Sequence, residues 1–211
     1  SSAASDVYKR QAMSHGLKNE GAKITAQLLE TTDAMEVVNE ILIPALDSAG
    51  KLFEQGKIFL PQLIQTASVA QAAFEVIKTT LIERNAAPVS RGEIVLATVK
   101  GDIHDIGKNI VRVLLENYGY TVLDLGRDVP CQLVADTAKE HGVKLVGLSA
   151  LMTTTLGAME ETIQLVKQSC PDCKIVVGGA VLTADYAEKI GADFYAKDAM
   201  ETVAVAKEVV G

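Results

Sequence analysis

The period of the hydrophobic pattern changes once along this chain of 211 residues, and that change restricts the fold more than any other feature. Up to Glu83 apolar residues recur at helical spacing, whereas from Ile94 onward short apolar runs alternate with amphipathic segments. The expected order is strand 94–99, helix 106–118, strand 121–125, helix 132–141, strand 145–149, helix 155–169, strand 174–177, helix 184–190, a short strand 193–195 and helix 199–209. Runs such as Ile94-Val95-Leu96-Ala97 are apolar at every position, so their strands are buried on both faces, as in a parallel sheet covered by helices. Five such βα units predict an α/β fold built on a doubly wound, five-stranded parallel sheet in the flavodoxin-like order 2-1-3-4-5.

Ahead of that pattern the spacing predicts a four-helix-type cap. Leu17, Ile24 and Leu28 share one face, followed by Val37, Val38, Ile41, Leu42, Leu46, Ala49, Leu52 and Phe53. Asp33 is placed to cap the second helix, and Pro44 either begins a third or kinks the second. Gly56 closes that stretch and Pro61 opens the last helix, which carries Leu63, Ala67, Ala70, Phe74 and Ile77. Pro88, Ser90 and Gly92 break the helical pattern, so 84–92 reads as an exposed linker between a cap at 12–87 and the α/β domain at 88–211. Residues 1–11 are unlike the rest. Asp6-Val7-Tyr8-Lys9-Arg10-Gln11 matches the translation of a common sequencing adapter, so the segment reads as a scar and the natural gene is expected to extend upstream.

Composition narrows the function. With 27 acidic against 20 basic residues, no Trp and no Lys/Arg stripe, the chain lacks the means to grip a phosphate backbone or stack on bases, and nucleic acid is excluded as a partner. Its apolar runs are shorter than the ~20 residues a membrane span needs, so a cytoplasmic location without membrane association is expected. Of three cysteines, Cys170 and Cys173 lie close together. The pair precedes a strand and lacks two further ligands at zinc spacing, and it reads as a helix-to-strand turn.

In an open α/β sheet the ligand sits on the loops that follow the strands. Lys100-Gly101-Asp102-Ile103-His104-Asp105-Ile106-Gly107-Lys108 occupies the first of these. An imidazole there, with a carboxylate two residues before it, suits a metal-ligating histidine whose other ring nitrogen is held by that carboxylate. The third loop carries Ser149-Ala150-Leu151-Met152-Thr153-Thr154-Thr155, the fourth Gly178-Gly179-Ala180-Val181, and the fifth Ala196-Lys197-Asp198. Small and hydroxylated residues open a groove, and paired glycines let a ligand press on the backbone. A phosphoacceptor receiver would need an aspartate where Ser149 stands, a flavodoxin a Ser/Thr-rich loop where 101–107 stands, and a dinucleotide site a Gly-x-Gly-x-x-Gly that is missing.

Asp102-x-His104-x-x-Gly107, Ser149-x-Leu151 and Gly178-Gly179 together resemble the cobalamin-binding signature of corrinoid methyl carriers. The segment from Lys51 to Gln62, with Phe53 and Leu60, is similar to the part of that family's cap that lies over the corrin. The resemblance covers 16–211 and is greatest to the cobalamin module of methionine synthase, in a form that ends without a reactivation domain. It implies that 88–211 is a Rossmann-like cobalamin-binding domain and that the cofactor cycles between methylcobalamin and cob(I)alamin. His104 would be the lower axial cobalt ligand, replacing the cofactor's own base. Asp102 would accept its second ring proton, and Thr155 would continue the relay where the best-known members have serine. Gly101, Ile103, Asp105, Ile106, Gly107, Leu151, Met152, Thr153, Ala180, Val181, Ala196 and Asp198 would line the cofactor. Ser149, Gly178 and Gly179 would flank the slot for its nucleotide tail. Methyl-donor and methyl-acceptor domains for folate and homocysteine would be the partners, and the chain alone would not turn over. The Met-Thr-Thr-Thr run also resembles stand-alone corrinoid proteins of methylamine, methanol or methoxy systems. A cobalamin-based sensor is the remaining alternative, although such a cap is usually rich in tryptophan, which this chain lacks.

Overall fold

The computed structural model describes residues 18–84 and 90–211. Leu17, the expected scar at 1–11 and most of the expected linker lie outside them. The chain divides into two compact units between Ser90 and Arg91, with Glu116–Gly119 counted in the first.

In the helical unit, α1 (Lys18–Leu29) packs against the long α4 (Leu60–Glu83). Gly21 permits the approach, since a Cβ there would lie 2.7 Å from Val69 Cγ1. Between them run α2 (Ala34–Val37), a π-helical turn (Val38–Leu42) and α3 (Ile43–Glu54). Asp33 caps α2 as expected, its carboxylate accepting the Met35 N–H at 3.0 Å. The two options for Pro44 merge: it stands in the first turn of α3, where its missing N–H is not needed, and the preceding turn widens to the π form. Leu28, Val37, Leu42, Leu46, Leu63, Ala70, Phe74 and Ile77 form the core, each large side chain contributing roughly 1.5–3 kcal/mol. Leu52 departs from the expected face and is exposed.

The second unit holds a five-stranded parallel sheet in the expected order β2-β1-β3-β4-β5. Its strands are β1 (Glu93–Thr98), β2 (Thr121–Asp124), β3 (Leu145–Ser149), β4 (Lys174–Gly178) and β5 (Phe194–Tyr195). The connecting helices are α5 (Ile106–Asn117), α6 (Cys131–His141), α7 (Leu156–Ser169), α8 (Ala184–Lys189) and α9 (Ala199–Val209). Ile94, Val95, Leu96, Ala97, Val146, Leu148, Ile175 and Val177 are all buried, which is the two-sided burial that their unbroken apolar runs require. Register places Thr98 beside Ser149 and Ser149 beside Gly178. The carboxyl ends of the three central strands are therefore level, and three loops emerge from one edge. Cys173 precedes β4 and lies at the opposite edge, its N–H bonded to the Cys170 carbonyl at 3.0 Å in a tight turn, as the sequence suggested. Among the described residues, no helix is long and apolar enough to cross a membrane.

Candidate functional site

β1 delivers the chain to Val99, and Gly101, at φ +83°, turns it into the histidine loop. Asp102 is wholly buried there and is the hub of the site. Its Oδ1 accepts the His104 backbone N–H at 3.0 Å and faces His104 Nδ1 at 2.8 Å. Its Oδ2 accepts the N–H groups of Leu151 at 2.8 Å and Met152 at 3.2 Å, and the Thr155 hydroxyl at 2.9 Å. Burial alone would push this carboxyl up, but the bonds from Leu151, His104 and Thr155 outweigh it and hold Asp102 well below the usual carboxylate range. An ionised carboxylate can only accept, so in the neutral imidazole the hydrogen resides on Nδ1 and Nε2 keeps a free lone pair.

The His104 side chain is 45% exposed, on a surface where Ile103 is 59%, Ile106 78% and Leu151 41% exposed. An outward imidazole nitrogen among bare aliphatic side chains fits the underside of a flat, apolar macrocycle that brings its own equatorial ligands. Gly107 fits the same purpose, since a Cβ added there would meet nothing within 4 Å. The donor set therefore matches the expected cofactor.

Thr155 closes the 3₁₀ turn Thr153–Thr155 and is buried. Its hydroxyl carries one proton and has two acceptors in reach, Asp102 Oδ2 and the Met152 carbonyl, the latter at 2.8 Å. The methyl group that distinguishes it from serine packs toward Gly101, where a Cβ would stand 3.5 Å from Thr155 Cγ2. Thr153 is exposed and makes no part of this network.

A second cluster lies between the level strand ends. Ser149 Oγ is 3.0 Å from Thr98 Oγ1, which also reaches the His104 carbonyl at 3.3 Å. Gly178 lies against the residue that follows β5, with a Cβ there only 3.1 Å from the Ala196 carbonyl oxygen. Gly179 is closer still to its neighbour, since a Cβ there would lie 1.8 Å from the Ala150 oxygen. Ala180 is exposed and Val181 half-buried beyond it. Ala196 is buried, and Asp198 caps α9 by accepting the Glu201 N–H at 2.9 Å. Asp105 is half-buried at the start of α5, where its carbonyl accepts the Asn109 N–H. Phe53 and Leu60 belong to the helical unit, half-buried there.

Two residues of the site were missed from the sequence. Thr98 sat inside an apolar strand run, and only the register that pairs it with Ser149 reveals it. Asp128, after β2, accepts the Gly101 N–H at 2.7 Å, a contact that no local pattern signals.

Comparison with known proteins supports the fold and the cofactor. A B12 binding domain family matches residues 92–204, and a second B12 binding domain family matches residues 10–78. Dimethylamine corrinoid protein 1 of Methanosarcina acetivorans is 43% identical over 84% of this chain and 84% of its own length. A solved cobalamin-binding protein from Desulfitobacterium hafniense DCB-2 superposes with a TM-score of 0.80 and 32% identity, covering 97% of this chain and 98% of that one. The methanol:cobalamin methyltransferase complex MtaBC of Methanosarcina barkeri contains a chain that matches with a TM-score of 0.83 and 27% identity, over 96% of this chain and 78% of that one.

Proposed function

The chain belongs to the B12-binding family of corrinoid proteins, and on that premise we propose that it carries methyl groups on cobalamin as a stand-alone corrinoid protein of a methylamine-type methyltransferase system. The observation that carries the reading is the Asp102–His104 pair, which leaves an imidazole lone pair facing outward among exposed aliphatic side chains. Bound cobalamin supplies a cobalt centre able to accept and release a methyl group. The chain's own residues position it. His104 would hold the cobalt through Nε2. Asp102 keeps the hydrogen on Nδ1 and fixes the orientation of the ring. The Thr155 hydroxyl has both Asp102 Oδ2 and the Met152 carbonyl within reach and can donate to either. Ile103, Ile106 and Leu151 would shield the bound group from water, and Ser149, Gly178 and Gly179 would flank a slot for its nucleotide tail.

The expectation of a methionine synthase module, with folate and homocysteine domains as partners, is replaced here by the stand-alone alternative. Relatives named for dimethylamine and a neighbour solved with a methanol methyltransferase favour it. The Met152-Thr153-Thr154-Thr155 run was the sequence signal in the same direction. The partners are then separate methyltransferase chains, one loading the methyl group and one removing it.

Electron paramagnetic resonance of the two-valent cobalt form tests the ligand. Uniform nitrogen-15 labelling of the protein, with unlabelled cofactor, is expected to change the axial nitrogen splitting from a triplet to a doublet. A splitting indifferent to the label would remove His104 from its role. For the substrate, the reconstituted chain is expected to be methylated by a dimethylamine methyltransferase. Methylation by methyltetrahydrofolate and a folate domain instead would reinstate the methionine synthase reading.

A further inference from the structure

Asp128, between β2 and α6, is the one non-glycine residue with positive φ among those described, at +51°. That backbone region disfavours residues with a Cβ, and aspartate occupies it at less cost than most because its short side chain can bond locally. Here the conformation serves two bonds to the histidine loop. The Asp128 N–H donates to the Asp102 carbonyl at 2.9 Å, and its Oδ1 accepts the Gly101 N–H at 2.7 Å. Consecutive residues of that loop are thus held from one point. Gly101 needs the restraint, because a glycine has the widest conformational choice of any residue.

The segment that presents Asp128 is itself fastened at both ends. On one side the Thr98 N–H donates to the Gly126 carbonyl at 2.9 Å, and on the other the Val129 N–H donates to the Thr98 carbonyl at 3.1 Å. Arg127 and Asp128 are therefore looped out between two bonds to a single β1 residue. Upstream, Asp124 binds the buried Lys108 ammonium with both oxygens, at 2.6 and 2.7 Å, and accepts the Gly126 N–H at 2.9 Å. Lys108 belongs to α5, the helix that the histidine loop leads into, so loop and brace share an anchor.

We infer that Asp128 is a positioning residue for the cofactor-facing loop. Its carboxylate and left-handed backbone lock Gly101 and Asp102 in place. Asp102 is thereby kept within reach of Leu151, Met152 and Thr155, and His104 is presented with Nε2 outward. This rests on the reading of His104 as the axial ligand, and it adds a residue outside the Asp-x-His motif that sets the motif's geometry.

The test compares the wild type, Asp128→Gly, Asp128→Asn and, as a reference, His104→Ala, all as full chains. Glycine keeps the positive φ and loses the carboxylate. Asparagine keeps both an acceptor oxygen and tolerance of the left-handed region. Three quantities are read: hydrogen exchange of the Gly101 amide without cofactor, the dissociation constant for aquacobalamin, and the fraction of two-valent cobalt coupled to a protein nitrogen. Asp128→Gly is expected to speed Gly101 exchange and weaken binding by up to about tenfold each, the scale of one hydrogen bond. Its nitrogen-coupled fraction should fall, while Asp128→Asn stays near the wild type. Wild-type exchange and affinity in Asp128→Gly overturn the assignment, as does an asparagine variant that loses as much as the glycine one. If His104→Ala retains the nitrogen coupling, the reading of His104 fails, whereas the Gly101 exchange rates still report on the brace.

Discussion

Replacing Asp102 by asparagine removes one acceptor position and the charge while preserving shape, and the structure determines which way the amide turns. With its NH₂ at the Oδ2 position it would face the N–H groups of Leu151 and Met152 and strand both. With its NH₂ at the Oδ1 position it faces the His104 N–H and ring Nδ1. The ring can respond by moving its hydrogen to Nε2 and accepting at Nδ1, so a single backbone donor is stranded. Each stranded buried donor costs roughly 1–3 kcal/mol, and the second orientation wins by about that margin. Its consequence is specific: the lone pair meant for cobalt is now occupied by a hydrogen. The fold should lose roughly 1–3 kcal/mol, seen as a melting point lowered by ~2–4 °C for each kcal/mol. Cobalamin affinity should fall by ~10–100-fold, the usual scale for losing the partner of a ligating histidine. Calorimetry, an absorbance titration with aquacobalamin and the resonance spectrum measure the three effects. A variant that melts lower yet keeps wild-type affinity and full nitrogen coupling would refute the tautomer argument.

Gly179→Ala forces a Cβ to 1.8 Å from the Ala150 oxygen and 2.9 Å from its carbon, at a φ of +138°. The loops after β3 and β4 must part by more than 1 Å, so a loss of ~1–3 kcal/mol or more and weaker cofactor binding are expected, and an unchanged melt with unchanged affinity would count against the slot. Burial pushes the Cys173 thiol up to about 12, from an ordinary 9.0, so the fold favours its neutral form. The associated stability is present below pH 9.0 and lost as pH rises from there toward 12; iodoacetamide at pH 8 should label the half-buried Cys170 well before Cys173, and equal rates would contradict this. Phe53→Ala should accelerate photolysis of the methyl-loaded protein while leaving its circular dichroism intact. Unchanged photolysis would return Phe53 to ordinary packing.

The sheet order was legible because runs such as Ile94-Val95-Leu96-Ala97 are apolar on both faces, as in a helix-covered parallel sheet, and each strand was followed by an amphipathic helix. Asp33 as a cap was equally legible, since capping is a local transaction between a side chain and the next turn. Pro44 was not, because whether a proline ends a helix or widens a turn depends on what packs around it. The Asp102–His104 pairing could be anticipated from two residues of separation. The bonds to Leu151, Met152 and Thr155 required the third strand to arrive at a particular level, which no local pattern encodes. Asp128 was invisible for the same reason, with its left-handed backbone disguised by an ordinary residue type. Leu52 was misplaced because periodicity identifies a helix face but not how far that face is buried.

The backbone of His104 has very little freedom. Its N–H is tied to Asp102, its carbonyl receives the Thr98 hydroxyl, and Asp102 is in turn fastened to the loop after β3. A histidine so held cannot approach or leave a metal by moving its loop. The available travel is rotation about Cα–Cβ and Cβ–Cγ, and any such swing must first break the 2.8 Å bond from Nδ1 to Asp102. Were His104 to ligate a metal, its release would be a side-chain event with one identifiable bond as its threshold. Its rate should follow the strength of that bond and be indifferent to the stiffness of the surrounding sheet.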